Sequence, residues 1–431
     1  MPYNVFVIGM DKFVQDQLEG LPRAQEFRFH PLLPLDEVVH TDDYDIPGLL
    51  QQAEQTLDEF TGSVDAIVSA WDFPSSTLLP LLRQPRDLPG AKLEAVLKCE
   101  HKYWSRCLQA DIAPETVPSF ELVNPFADDA MEAIPLEFPF WIKPVKGHSS
   151  KLGFRINDAK EYCQALQKIR RGIGAIGKPF NEFLQRAETP DWLEKADGYT
   201  CIAEAIIPEA YQCTLEGYVY NGETRVYGII DSIHHEHFRS VFSRYQYPSR
   251  LPKSVTDRMV EIARKLMAGI GYDNAPFNVE FYYEEGNDRL WLLEINSRLS
   301  RSHTPLFELV DGASHLQVMV DVAIGLEPRL PEGEGSFRLA AKFMEREFED
   351  KWVEAVPEAK DIERVKTELP GSRVEIKARP GARLSDLLHR DSYSYEIADL
   401  FLGADSEEEL MEKERFCIDN LPFRFSPVNE S

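Results

Sequence analysis

A chain of 431 residues, 43% of them hydrophobic, is long enough to form several lobes rather than one core. Its formal net charge of −26 argues against a nucleic-acid backbone or an anionic membrane as the main partner, because both demand basic surface; any polyanionic ligand must be met by a local cluster of Lys, Arg and metal. Six cysteines without paired C-x-x-C spacing indicate neither a zinc site nor a disulfide framework, and no apolar run approaches membrane-spanning length, so a soluble, cytoplasmic protein is expected.

Asn4–Ile8 reads as a short buried strand, Phe13–Leu18 as a helix, and Glu26–Leu33 and Val64–Ser69 as further strands, which predicts an open α/β lobe over 1–95. Gly9-Met10-Asp11-Lys12 lacks the G-x-G-x-x-G of a dinucleotide turn, so this lobe is expected to bind no nucleotide of its own. Pro85, Pro89 and Gly90 punctuate its exit. Leu93–Ala110 is helical in pattern and carries Lys98 and Lys102. In Glu137–Val145, Lys143 interrupts an apolar strand, where an unpaired charge is costly, so it wants an anion. The following stretch from Lys146 to Gly153, with Ser149 and Ser150, is small, hydroxylated and basic enough to fold backbone N–H groups over a phosphate, although an ordinary surface turn is written with the same letters.

A helix is expected near Asp158–Arg171 and an irregular excursion from Gly172 to Gly198. Tyr199–Ile207 is a strand ending in Glu204 and an apolar triplet, an edge suited to adenine; Gln212, eight residues further on, is within reach of a ribose hydroxyl. Thr214–Tyr220 and Glu223–Asp231 form a hairpin around Asn221-Gly222. His234, His235 and His237 match no recognised ligand spacing and are read as solvated or substrate-facing. An amphipathic helix starts at Ser254 and closes at Gly269 and Gly271, Asp311–Gly325 is a further helix, and Glu327–Gly335 is a linker. Beyond it, 331–431 alternates strands (Phe337–Phe343, Arg373–Ile376) with polar helices and offers no catalytic constellation.

Phe277–Tyr283 and Leu290–Ile295 flank a polar tip in the manner of an antiparallel hairpin. Alternation places Asn278 and Glu280 on one face of the first strand and Glu294, Asn296 and Arg298 on one face of the second, with Glu280 roughly opposite Glu294. Opposed carboxylates repel unless a cation lies between them, and magnesium, which takes oxygen ligands and commonly combines one or two carboxylates with nucleotide phosphates, suits Glu280, Glu294 and the amide of Asn296.

A lysine on a helix, a lysine at a strand end, a small-residue loop, a Glu before an apolar hinge and a hairpin Glu…Glu-x-Asn-x-Arg, in that order over about 96–330, resemble the ATP-grasp superfamily. The text FNVEF…LLEINSR and the long tail are most similar to its biotin carboxylase-like group, which includes L-amino acid ligases. The resemblance implies an α/β protein with an ATP-grasp core: an N-terminal α/β domain (1–95), a two-lobed ATP-grasp domain (96–330, lid roughly 135–203) with nucleotide between the lobes, and a C-terminal α+β domain (331–431). It implies that Lys102 and Lys143 contact ATP phosphates, that Ser149 and Ser150 lie in the loop closing over them, and that Glu204 and Ile207 hold adenine and Gln212 the ribose. Glu280 would bind one magnesium (or manganese), Glu294 would bridge two, and Asn296 would complete the second. Arg298 would stabilise an acyl phosphate or a substrate carboxylate. The implied activity is an ADP-producing carboxylate-amine ligase acting on small, amino-acid-like acids and amines, compatible with a homodimer; the rivals are a biotin carboxylase-like carboxylase and a non-catalytic ATP-binding regulatory module. Three departures bear on affinity and substrate shape: Gln212 where an acid is frequent, few glycines after Lys143, and Leu299-Ser300-Arg301-Ser302 in place of a glycine-containing run.

Overall fold

The computed structural model describes residues 2–428 apart from positions 42, 131, 133, 148–150, 209, 237, 239–240 and 388–393. Its N-terminal lobe is a parallel sheet of β1 (Tyr3–Val7), β2 (Phe27–Pro31) and β3 (Ala66–Val68) in the order β2-β1-β3. Val5 and Val7 pack on the helix Lys12–Glu19, while Phe6 and Ile8 face the helices Ile46–Glu59 and Ser75–Arg83. Asp11 caps the first helix through the Val14 amide at 2.8 Å. The turn after β1 is closed rather than open to a ligand: Gly9 has a φ of +64°, and the Trp71 indole donates to its carbonyl at 2.7 Å.

The helix expected over Leu93–Ala110 is two helices, Leu93–Glu100 and Lys102–Ile112. His101 breaks it with extended backbone, accepting the Trp104 amide on Nδ1 at 3.2 Å and placing Nε2 2.6 Å from the Ala196 carbonyl. Burial pushes this imidazole down to about 4, keeping it neutral for both contacts. Apolar periodicity runs through a one-residue break, which is why the pattern conceals it. The excursion expected over Gly172–Gly198 contains the helix Gly174–Leu184 and a short turn, Asp191–Lys195. Gly177 and Pro179 lower its intrinsic helicity, but Ile176, Phe180 and Phe183 bury themselves against the N-terminal lobe, and that burial overrides propensity.

A four-stranded antiparallel lid follows, comprising β4 (Phe120–Val123), β5 (Phe140–Pro144), β6 (Phe154–Ile156) and β7 (Cys201–Ala205) in the order β4-β7-β5-β6. The large sheet is built from β8 (Tyr211–Tyr220), β9 (Glu223–His234), β10 (Phe242–Tyr247), β11 (Ala275–Glu284) and β12 (Arg289–Asn296), then β13 (Leu339–Glu347), β15 (Arg373–Ile376) and β16 (Tyr395–Ala404); its order is β12-β11-β8-β9-β10-β13-β16-β15. The remaining strands, β14 (Lys351–Ala355) and β17 (Arg424–Pro427), pair with each other. The β8–β9 turn has Asn221 and Gly222 at φ values of 50° and 80°, both in the left-handed region that a two-residue hairpin turn requires. The helix Lys253–Ile270 lays Met259, Ile262, Leu266 and Met267 against β8, β11 and β12, and ends at Gly271 rather than Gly269. Of the span expected as a helix, Asp311–Gly325, only Leu316–Ala323 is helical; a separate helix, Thr304–Asp311, precedes it and is stopped by Gly312 at φ +85°.

The segment after the expected linker does not fold apart from the hairpin's sheet. Tyr245 of β10 pairs with Lys342 of β13, so β13, β16 and β15 continue the same sheet. The charges that make this segment look exposed are buried in pairs, with Asp399 accepting from Lys342 and Lys377 at 2.9 Å each.

Candidate active site

Across the β11–β12 ladder Glu280 stands opposite Glu294 and Asn278 opposite Asn296, with a bulge directly after Glu280. On its other side Glu280 faces Thr214 of β8, and Gln212 donates to the Glu280 carboxylate at 3.3 Å. Burial, reinforced by Glu294, pushes the Glu280 carboxyl up from 4.5 to about 7. Glu294 goes the other way: burial would raise it, but Lys102 and Lys143 hold it below the usual range. Adjacent carboxyls with divided protonation preferences mark a place where added positive charge is favoured. Asn296 donates to Asn278 at 2.9 Å, which leaves its side-chain oxygen available as a ligand. Among the described residues no group of three or more His, Cys, Asp or Glu forms a cage. Glu280, Glu294 and the Asn296 side-chain oxygen are hard oxygen donors of the kind that magnesium takes.

If Glu280 ligates magnesium it must first lose its proton, and magnesium affinity is then expected to fall about tenfold per pH unit below about 7. In the metal-free protein the raised pKa contributes stability fully below about pH 4.5, and that contribution is lost as the pH rises to about 7. Thermal midpoints of wild type and Glu280→Gln over that range check the sign: the wild type should lose more stability with rising pH, and magnesium should restore it. A parallel fall in both proteins would remove Glu280 from the account.

Lys102, the first residue of its helix because of the break at His101, reaches Glu294 at 2.6 Å and the Gly147 carbonyl at 3.1 Å. It thus joins the base of the loop after β5 to the carboxylate hairpin. Lys143 meets the Glu204 carboxylate at 2.5 Å, so the anion this lysine needed is supplied within the protein. Glu204 also pairs at 2.5 Å with Arg106. Burial alone would raise the Glu204 carboxyl, but Arg106 and Lys143 together hold it at about 2. Lys102, Arg106, Lys143, Glu204 and Glu294 line one cleft between the lid and the large sheet. Ile207 is half-buried in the connection from β7 to β8. Gln212 is only 4% exposed and is engaged by Glu280 and, at 3.0 Å, His234. Gln212 thus links His234 to the Glu280 carboxylate. Ser149, Ser150 and His237 lie outside the described residues.

Arg298 extends beyond the Glu280–Glu294 pair and donates to Asp72 from the N-terminal lobe at 2.9 Å. Lys146 binds Glu100 and lies 3.5 Å from Asp72, while Glu100 accepts from Ser297 at 2.7 Å. Under the loop that follows Arg298, the fully buried Glu216 accepts the Ser300 amide at 3.2 Å and approaches His303 Nδ1 at 2.8 Å. Sequence reading passed over Arg106, Asp72, Glu100 and Glu216, and placed Lys146 in the basic stretch after β5 without its partner Glu100. For Arg106 a signal existed: Lys102 and Arg106 are four apart on one helical face, and like charges at that spacing repel unless acids face them.

Residues 243–331 match a family model described as carbamoyl-phosphate synthase L chain, ATP binding domain. With a lid, a hairpin sheet and a cleft of opposed lysines and carboxylates, the chain has the ATP-grasp fold, in the arrangement of L-amino acid ligases and biotin carboxylases. An L-amino acid ligase from Bacillus licheniformis superposes over 99% of both chains with a TM-score of 0.72 at 17% identity. In sequence, the chain is 23% identical over 328 residues to an uncharacterized protein, y4rH, of Sinorhizobium fredii, covering 74% of this chain and 61% of that protein. It is also 30% identical over 87 residues to biotin carboxylase 1 of Bacillus subtilis, which covers 20% of this chain and 19% of that one. The matched regions thus span less than two thirds of these two curated relatives.

Proposed function

We propose that this protein is an ATP-dependent carboxylate-amine ligase that forms an amide through an acyl phosphate and releases ADP and phosphate. The observation that carries this reading is the single constellation in which Lys102 contacts Glu294, Glu294 opposes Glu280, and Arg298 projects beyond them toward the N-terminal lobe. The resemblance to an L-amino acid ligase along the full length of both chains supports it.

ATP lies in the cleft between lid and sheet, with Lys102 and Lys143 on its phosphates and the edge at Glu204 and Ile207 beside adenine. Glu280, Glu294 and Asn296 hold magnesium, which supplies charge neutralisation on the phosphoryl oxygens. Lys102 exchanges Glu294 for phosphate, and Lys143 shares itself between Glu204 and phosphate; both lysines are prepositioned by the carboxylates they contact here. Arg298 meets the substrate carboxylate and the charge that develops as its oxygen attacks the γ-phosphorus, the bond from that phosphorus to the bridging oxygen breaks and ADP leaves. The amine then attacks the carbonyl carbon, the C–O bond to phosphate breaks, and an amide forms.

A carboxylate labelled with heavy oxygen tests the route. One label should appear in the released phosphate, with ADP as the nucleotide product. AMP with pyrophosphate, or unlabelled phosphate, would show that the acid is activated otherwise. Label transfer from bicarbonate alone would favour the carboxylase reading suggested by the match to biotin carboxylase 1.

A further inference from the structure

Beside Arg298 a narrow, water-sized cleft separates the N-terminal lobe from the start of β11. Leu79, Val96, Tyr272 and Met319 contribute its walls, and no Asp or Glu is among the residues lining it. Its two charged lining residues are Arg83 and Arg298. Arg83, the last residue of the helix Ser75–Arg83, is 6% exposed; its Nε donates to the Ile67 carbonyl at 2.7 Å. Among the described residues its Nη groups show no hydrogen bond and no carboxylate partner, and they keep contact with solvent through the cleft. Arg298 uses its two Nη groups on Asp72 and the Leu299 carbonyl, but its buried Nε has no acceptor.

A guanidinium buried without an anion is costly, and burial does push Arg83 down, to about 10. The local sequence makes room for it: a Cβ on Gly90 would lie 2.7 Å from Arg83 Nη1, so glycine there lets the side chain fold inward. A helix-terminal arginine ordinarily turns to solvent or onto the last carbonyls of its helix. Here it is directed into a cleft shared with the arginine proposed to grip the acid.

We propose that this cleft takes the second carboxylate of a dicarboxylate acid substrate, with Arg83 as the specificity-determining contact and Arg298 between it and the carboxylate to be activated. The inference rests on the ligase reading of the same site. A monocarboxylate satisfies Arg298 and leaves Arg83 unpaired. A dicarboxylate satisfies both, through charge-assisted hydrogen bonds between apolar walls that reject uncharged polar ends.

Succinate, glutarate and butyrate, titrated into wild type, Arg83→Met and Arg83→Lys with the thermal midpoint as readout, test this, alongside calorimetry of MgADP binding to each protein. In wild type, succinate or glutarate should bind at least tenfold more tightly than butyrate. Arg83→Met, which keeps the length of the side chain and removes the charge, should lose that preference while binding MgADP as wild type does. Arg83→Lys should keep part of the preference, and it stands in for the methionine variant should that fail to fold. Equal binding of butyrate and the dicarboxylates by wild type, or a preference that survives Arg83→Met, would overturn the assignment and leave water as the occupant of the cleft. A dicarboxylate preference in a protein that binds no MgADP would uphold the cleft and sink the ligase reading; MgADP binding without the preference would do the reverse.

Discussion

Glu294→Gln should lower turnover by about a thousandfold or more while the protein stays folded. Glu294 is the side chain on which the site's parts converge: it accepts from Lys102 at 2.6 Å and stands opposite Glu280 across the ladder. The amide keeps its shape and loses its charge, so a cation held between the strands would lose one of its two carboxylates. Two effects on the metal-free fold oppose each other. Repulsion with Glu280 disappears, and so does the ion pair with Lys102. Because the Glu294 side chain is 36% exposed, neither is large, and the midpoint without magnesium should move by only a few degrees. Steady-state phosphate release and a melting curve on the same preparation check both halves. Near-wild-type turnover in a folded Glu294→Gln protein would remove the hairpin from the chemistry.

Arg298→Lys should lower kcat by roughly a hundredfold and leave MgADP affinity within about threefold of wild type. The arginine reaches Asp72 with one Nη and the Leu299 carbonyl with the other, a spread that a lysine cannot reproduce. Lysine preserves the positive charge beside Asp72, so the variant avoids stranding a carboxylate at the interface between lobes. The separation of kcat from nucleotide affinity is the diagnostic part. Arg298 lies past the metal ligands, so it should matter where charge develops on the acid rather than where the nucleotide docks. A loss that appears equally in MgADP binding would make Arg298 a nucleotide contact and reopen the question of what receives the carboxylate.

The hairpin was legible because its information is local. Strand alternation, a polar tip and two acids on facing positions suffice to place Glu280 opposite Glu294, whatever the rest of the chain does. The separate strands of the N-terminal lobe and the Asn221-Gly222 turn were legible for the same reason, each being written in a short run of residues. Elements whose stability comes from distant partners were read less well. The helix Gly174–Leu184 exists because three apolar side chains find the N-terminal lobe, and its Gly and Pro suggest the opposite locally. His101 breaks a helix through a carbonyl 95 residues away.

The residue types of the candidate site, their order and the acidic ladder follow from the sequence alone, because alternation and charge are properties of short segments. Only the tertiary structure decided which charge meets which. Lys143 and Arg106 both found Glu204 rather than solvent, Lys102 found Glu294 across 192 residues, and Arg298 found Asp72 across 226. It also decided that β13, β15 and β16 would extend the hairpin's sheet, and that Arg83 would turn inward beside Arg298. Pairings over such distances depend on how whole lobes pack, and no periodicity in one segment encodes the position of another.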